Sequence, residues 1–508
     1  MNKVVRTPSF KKNIAFNYLG QLYSTFIGIL ILPMFLQYMG AEAYGLVGFF
    51  TLLQAWLQLL DVGMSPTLGR EVARLKNKQN EHWRLTTVVN TVELVFIGIA
   101  LIAAVSLFFM QDWLASSWLT VEQLDTETIT TAISIMAFIV AFRWVASINR
   151  SGINAYEQQV WMNVVDIIIN TLRFPGALLL VINLDGNVLA YFYFQLVVVV
   201  IEVVTIRIKM RSLLPSKLGK IKRFSMVELK RIAPFALSVG YTSGIWILLT
   251  QLDKLLLSKY LTLSEYGYFT LVGAVANGMT MLSSPVTKAL LPRMTAMLEE
   301  QGEKPMLVLY QTATKFVACF VFPIAIIIAF NAEVVIYTWT GDVAAAQWVA
   351  PILPFFCLGS MVLAIMVFQY QLQYAHGVLK YHVKWNTFSV LINIPLIIYA
   401  ATYHGALGVA WVWLAYRLLS LTVWCAFVHG KFAPGLHLKW LINCVLVPFA
   451  LSAGVVVILT IIFPLSLDMG RWRLFMLLGL VSFVSVALTA LVLFKDLIRS
   501  KLSVKRAI

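Results

Sequence analysis

The feature that most constrains this chain is the recurrence of apolar runs long enough to cross a bilayer. A helix rises about 1.5 Å per residue, so about 20 apolar residues span the hydrocarbon core. Runs of that order occupy 14–37, 43–64, 86–110, 129–149, 160–182, 188–208, 233–258, 266–288, 306–330, 347–374, 385–402, 406–428, 441–463 and 474–494. The polar breaks between them are short. Of the 508 residues, 60% are hydrophobic and 12% charged, against about 25% charged in soluble chains. A soluble enzyme could not bury that much apolar surface, and a transmembrane barrel would show short alternating segments. The pattern predicts an all-α polytopic membrane protein with about 14 transmembrane helices.

The net charge of +16 acquires a meaning once it is located. We place the N-terminus in the cytoplasm and count Arg207 and Lys288, at the inner ends of their spans, with the cytoplasmic side. The cytoplasmic segments then hold 31 Lys and Arg against 8 Asp and Glu, and the external loops 3 against 10. This is the positive-inside sort, and with an even helix number it puts both termini in the cytoplasm. The excess therefore reads as orientation, and no nucleic-acid partner is expected. The first run follows Lys3, Arg6, Lys11 and Lys12. It is too long for a signal-peptide core and lacks a small-residue cleavage site, so a retained first helix is expected. The four cysteines lie in apolar runs without CxxC spacing, which suits small buried hydrophobes better than disulfides or zinc.

A basic segment at 211–232, with Lys217, Lys220, Lys222, Arg223, Lys230 and Arg231, reads as a cytoplasmic linker on the anionic inner leaflet. It divides a six-helix bundle over 1–210 from a second over 233–428. Residues 429–508 add two helices and a basic cytoplasmic tail. The halves show faint self-similarity. Tyr38, Tyr44 and Gly45 recur as Tyr260, Tyr266 and Gly267, and Val160, Asn163 and Asn170 as Val383, Asn386 and Asn393. Both halves start and end on the same side, which makes the repeat parallel. Transporters with such repeats bind their cargo between the halves.

The segments ILPMFLQYMGAEAYGLVGFF (29–50), LLDVGMSPTLGREVAR (59–74) and QLDKLLLSKYLTLSEYGYFTL (251–271) resemble the polysaccharide flippases of the MOP superfamily, the Wzx-like exporters of lipid-linked oligosaccharides. The order of helices agrees over nearly the full length. The resemblance implies a MATE-like fold, with two six-helix bundles in a V around a central cavity and two C-terminal helices beside the second. It also implies alternating access driven by a proton or sodium gradient, with no bound cofactor.

Ionisable groups inside a membrane are costly and face a cavity or a partner. Five cations (Arg143, Arg173, Lys254, Lys315, Arg417) and five acids (Asp61, Glu93, Asp166, Glu202, Asp253) lie within the spans. Asn163, Asp166, Asn170 and Arg173 follow one another at spacings of 3, 4 and 3, which puts them on one helix face. That face lines the cavity or packs against polar groups. Arg173 is too deep to reach the inner surface. It either contacts the phosphates or acidic sugars of the cargo or bridges to an acid on another helix. Arg417 and Lys315 are candidate substrate contacts from the second half, since a guanidinium fork suits pyrophosphate. Arg143 is a substrate contact or a topology anchor.

Gln54, Gln58 and Asp61 share one face of the second helix. Asp61 caps the break at DVGMSP or pairs with a nearby Arg, and Glu93 and Glu202 read as gate salt bridges. Asp253 binds the coupling cation or closes an outer gate. Its neighbour Lys254 points elsewhere and needs its own partner. Asn386 and Asn393 hold sodium or serve as interhelical packing. Gly240 and Gly244 form a GxxxG pair suited to close helix contact.

Three functions compete. The first is a flippase for undecaprenyl-pyrophosphate-linked oligosaccharide in the bacterial inner membrane, working beside a polysaccharide polymerase and other assembly proteins. The second is a MATE-type organic-cation antiporter. The third is a membrane glycosyltransferase, polymerase or ligase. The external loops are short, and no nucleophile elbow, P-loop or HExxH is present, which leaves the enzyme reading weakest.

Overall fold

The computed structural model describes residues 10–215 and 222–495. Lys217 and Lys220 of the basic linker and most of the basic tail (496–508) lie outside the described residues. The described chain is helical throughout, with α1 (Phe10–Met39), α2 (Ala41–Leu57), α3 (Met64–Leu75), α4 (His82–Trp113), α5 (Thr126–Ala155), α6 (Gln159–Thr171), α7 (Ala177–Asn183), α8 (Val188–Leu213), α9 (Met226–Tyr260) and α10 (Leu263–Gln301). There follow α11 (Glu303–Phe330), α12 (Ala332–Thr340), α13 (Val343–Val349), α14 (Leu353–Ala375), α15 (Lys380–Leu419), α16 (Cys425–Phe432), α17 (His437–Trp440), α18 (Val447–Ile462) and α19 (Arg471–Leu493).

Eleven helical segments among the described residues are long and apolar enough to cross a membrane. The expected fourteen relate to these in three ways. The run Lys380–Phe432 is one continuous helical segment, yet Gly405 inside it has φ 56° and ψ −146°. That break falls between the expected spans 385–402 and 406–428. The first span lies in α1, where the apolar stretch Phe26–Met39 is shorter than the rest. The span 266–288 lies in α10, whose Asn277, Thr280, Ser283 and Ser284 lower its apolar character below that of the eleven.

Helix ends follow local chemistry. Asp125 accepts from the Thr128 N–H at 2.9 Å and starts α5, Asn187 accepts from Ala190 at 3.0 Å and starts α8, and Asp342 accepts from Ala345 at 2.9 Å and starts α13. Each is an N-cap supplying an acceptor to an otherwise unsatisfied backbone donor. Short π-helical segments interrupt the ladder at Leu172–Gly176, Ser420–Trp424 and Leu441–Leu446. The first contains Pro175, which removes a donor and crowds the preceding turn.

The chain divides into two compact units, Met1–Gly267 and Tyr268–Ile508. The first unit therefore holds α9 as well as α1–α8. Its core joins α3, α4, α5, α6, α8 and α9 through residues such as Leu68, Val88, Ile148, Ile169, Ile206 and Ala236. The second unit's core joins α11 to α14, α16, α18 and α19 through Phe322, Phe368, Cys425, Val456 and Val481. All four cysteines are buried and free.

Two close approaches define the first unit. The repeated Tyr-Gly pairs meet: a Cβ on Gly267 would stand 2.6 Å from the Ala41 carbonyl oxygen and 3.0 Å from the Gly45 nitrogen, and a Cβ on Gly45 would overlap the Leu263 carbonyl. Leu263 N–H donates to the Thr120 carbonyl at 2.8 Å. Buried Glu42 beside this contact accepts the backbone N–H groups of Glu122, Gln123 and Leu124 at 2.6, 2.8 and 2.9 Å. The other approach involves the GxxxG pair of α9: Gly240 lies against the Val62 backbone and Gly244 against the Leu59 side chain. We expect Gly45→Val to destabilise the protein by about 1–3 kcal/mol, the usual cost of overpacking. The check is its melting temperature in detergent, and an unshifted value would show that the contact yields freely.

Candidate functional site

Several charges of the first unit fall into chains of ion pairs. Glu202 on α8 is the centre of the first. One oxygen meets the Arg150 guanidinium at 2.6 Å and the other pairs closely with Arg173. Arg150 reaches on to Asp166 on α6 at 2.5 Å. The Arg173 carbonyl, beside Pro175, accepts from Gln195 at 2.8 Å. Two cations and two acids thus neutralise one another across α5, α6, α8 and the π segment that carries Arg173. A buried acid is tolerable when its lone pairs are filled this way. Glu93 on α4 forms a second chain: it takes Arg207 at 2.9 Å, pairs closely with Arg211 and faces Asn149 at 3.5 Å. A third set, Glu81, Arg84, Glu228, Arg231, Glu71 and Arg74, ties α3 and α4 to the start of α9.

The polar stripe on α6 divides. Asn170 donates to Ser24 Oγ at 2.8 Å and the Asn163 side chain lies against Gly20, both on α1. Asp166 and Arg173, the alternate pair, turn to α5 and α8. Of the two uses open to this stripe, packing against polar groups is the one its described contacts display.

A cavity of about 300 Å³ lies between α2, α5 and α9. Its polar wall includes Gln54, Gln58, Asp61, Arg143, Ser147 and Ser243. Arg143 donates closely to Gln54 Oε1, and its guanidinium sits over the Phe50 ring at 5.2 Å. Its Nε is buried without a hydrogen-bond partner, and no carboxylate pairs with it among the described residues. Asp61 shares the wall, but its Oδ1 accepts the Ser65 N–H at 2.8 Å, which starts α3 after the left-handed residues Val62 and Gly63. Asp61 is therefore tied to its own turn, while Arg143 faces the cavity without an ion-pair partner among the described residues.

Further along α9, Asp253 is buried and its Oδ1 has no hydrogen-bond partner among the described residues. Lys254 is not its counter-ion: Nζ donates to the Thr250 carbonyl at 2.8 Å and to Gln251 Oε1 at 3.1 Å.

In the second unit, Arg417 is buried, with its guanidinium 4.2 Å from the Trp413 ring centre and 5.3 Å from that of Tyr416. Lys315 is half-buried on α11 beside the Cys444 thiol. There Gln311 and Thr314 pack against Cys444 and Trp440, on the side that leads into α18. Asn393 donates to the Ser389 carbonyl one turn back at 2.8 Å, and Asn386 bonds His382 at 3.0 Å. Their side-chain donors are thus used on their own helix.

Two groups escaped the sequence reading. Arg150 lies beyond the apolar run of its span, yet α5 continues to Ala155. Its spacing of seven from Arg143 marks the same helix face and could have revealed it. His429 and Tyr310 share a buried 2.8 Å hydrogen bond, with His437 3.1 Å from the other ring nitrogen. They are 119 residues apart, and nothing in the sequence pairs them.

The family described as polysaccharide biosynthesis protein matches residues 37–351. The chain belongs to that family. No curated protein matches it. Among solved structures, this polysaccharide biosynthesis protein is similar to the lipid II flippase MurJ in an inward closed conformation. The two are 16% identical with a TM-score of 0.75, over 96% of this chain and 100% of MurJ. The MATE multidrug transporter DinF-BH is 14% identical, with a TM-score of 0.58 over 81% of this chain and 92% of its own. A mutant of the Vibrio cholerae MATE transporter VcmN is 14% identical, with a TM-score of 0.56 over 83% and 96%. At these identities the likeness is one of fold: the family member has the fold of the MOP-superfamily transporters and is a multi-pass membrane protein.

Proposed function

We propose that this protein is a flippase that carries an undecaprenyl-pyrophosphate-linked oligosaccharide from the inner to the outer leaflet of the bacterial cytoplasmic membrane. The observation that carries the reading is Arg143, a half-buried cation without an ion-pair partner among the described residues, in a cavity walled by Gln54, Gln58, Asp61, Ser147 and Ser243. A guanidinium fork fits a pyrophosphate, and uncharged amides and hydroxyls fit sugar hydroxyls. The family description and the fold shared with a lipid II flippase support the same class of cargo. An organic-cation antiporter is the weaker reading, because the acid on this wall, Asp61, already accepts a backbone donor.

In this proposal Arg173, Arg417, Lys315 and Asn170 assist binding or shape the protein around it. Glu93 and Asp166 belong to ion-pair chains that hold the helices in register. Asp253 is the coupling site for a proton or sodium ion, because its Oδ1 is buried without a partner. The termini are cytoplasmic, and the product is handed to a polymerase and its assembly partners.

The test is a reconstituted flipping assay with a defined pyrophosphate-linked oligosaccharide under separate proton and sodium gradients. We expect flipping to collapse when the relevant gradient is dissipated while ATP remains. Undiminished flipping would remove ion coupling from the mechanism, and uptake of an organic cation in place of the lipid would favour the antiporter.

A further inference from the structure

The cytoplasmic end of the second unit, as the positive-inside sort orients it, carries a feature that the transport cavity does not explain. Residues 343–467 contain no Asp or Glu, yet Lys380, Lys384, Arg417, Lys431 and Lys439 fall among them. Lys380 and Lys384 stand one turn apart at the start of α15, and both are exposed. Like charges at that spacing repel, and they sit at a helix end that already favours anions. No carboxylate pairs with either lysine among the described residues, and Lys380 lies 5.1 Å from the Tyr381 ring centre.

Lys384 forms the rim of an open, almost wholly apolar cleft of about 290 Å³. Apart from Val423, its other walls are aromatic: Tyr381, Trp385, Phe388, Trp424 and Phe427. Trp385 stacks on Trp424 with centroids 5.1 Å apart and 8° between planes, and Trp424 stacks on Phe427 at 5.5 Å and 16°. These stacked rings form a preorganised aromatic wall. Exposed apolar side chains continue from it along α15 (Phe388, Leu391, Ile392) and along the facing segment (Leu419, Val423, Phe427), a surface that requires lipid.

We propose that this cleft is a binding site for an anionic glycerophospholipid of the inner leaflet. The phosphate sits between Lys384 and Lys380, and an acyl chain lies along the aromatic wall. A zwitterionic lipid would fill the groove but bring its own cation to the lysines. An anionic headgroup supplies the charge that this acid-free stretch lacks, and aromatic groups at the membrane interface favour such an amphipathic fit.

The test uses the full-length protein in phosphatidylcholine vesicles containing brominated phosphatidylglycerol or, in parallel, brominated phosphatidylcholine. Quenching of Trp424 is isolated as the difference between the wild type and Trp424→Phe. We expect brominated phosphatidylglycerol to quench several-fold more than brominated phosphatidylcholine at equal mole fraction. Lys384→Gln should lower that preference about fivefold, the factor for one lysine near an anionic headgroup. Because Lys384 is exposed, this variant keeps the fold. Counting phosphatidylglycerol retained by native mass spectrometry gives the same comparison without Trp424→Phe. Equal quenching by the two lipids, or an unchanged preference in Lys384→Gln, would overturn the assignment. So would displacement of phosphatidylglycerol by polyprenyl phosphate at low mole fraction, which would give the cleft to the carrier lipid.

Discussion

Replacing Glu202 with Leu should destabilise the protein by about 3–5 kcal/mol, the cost of breaking a buried ion pair by removing one partner. The magnitude follows from how the charges are shared. Glu202 holds both Arg150 and Arg173. Its loss leaves two half-buried guanidinium groups with Asp166 as their remaining acid. Arg173→Leu removes one member, but Glu202 keeps its contact with Arg150, so its cost should be clearly smaller. The expected order in melting temperature is therefore wild type, then Arg173→Leu, then Glu202→Leu. A double variant Glu202→Leu, Arg173→Leu should lie above Glu202→Leu alone, because it removes an orphaned cation with its acid. A double variant that loses the sum of the two single losses would show that these groups act independently.

Much of this fold was legible because hydrophobic periodicity is a property of contiguous sequence. The break at Gly405 falls between two expected apolar runs, and α3 starts after Asp61 at the expected break in DVGMSP. The GxxxG pair at Gly240 and Gly244 announced a close contact, although its partner, the Val62 backbone, could not be named. The Tyr-Gly repeat showed up as an offset in numbering, but that its two copies touch is a property of packing. The site was less legible for the same reason. Arg150 and Glu202 are 52 residues apart, and their pairing depends on the rotation of α5 against α8. Spacing gave Asn163, Asp166, Asn170 and Arg173 one face, but a face of four residues spans enough arc to meet two neighbours. Alternate members accordingly turn to α1 and to α5 and α8. Burial depth made Arg173 the foremost cation in the sequence. Counter-ions, which the sequence does not display, transfer that position to Arg143.

Arg143→Ala should lower flipping of a pyrophosphate-linked oligosaccharide at least about tenfold while leaving the amount of folded protein near normal. A hydrogen bond to a charged group contributes about 1.5–3 kcal/mol, which converts to about one to two orders of magnitude in rate if it forms in the transporting state. The expected stability is the discriminating half of this prediction. Arg143 has no carboxylate to orphan: its described contacts are the Gln54 amide oxygen and the Phe50 ring. Removing it deletes a half-buried cation without leaving an unpaired acid, so the fold has little to lose, in contrast to Glu202→Leu. Arg143→Lys keeps the charge but not the planar fork, and should fall between wild type and Arg143→Ala. A cargo with a single phosphate should be less sensitive to the Lys variant than the pyrophosphate, because a point charge serves one phosphate nearly as well as a fork does. Full flipping in Arg143→Ala would sink the role assigned to this cavity. Loss of folded protein in that variant would mean that Arg143 works as a structural contact and that the cargo is held elsewhere.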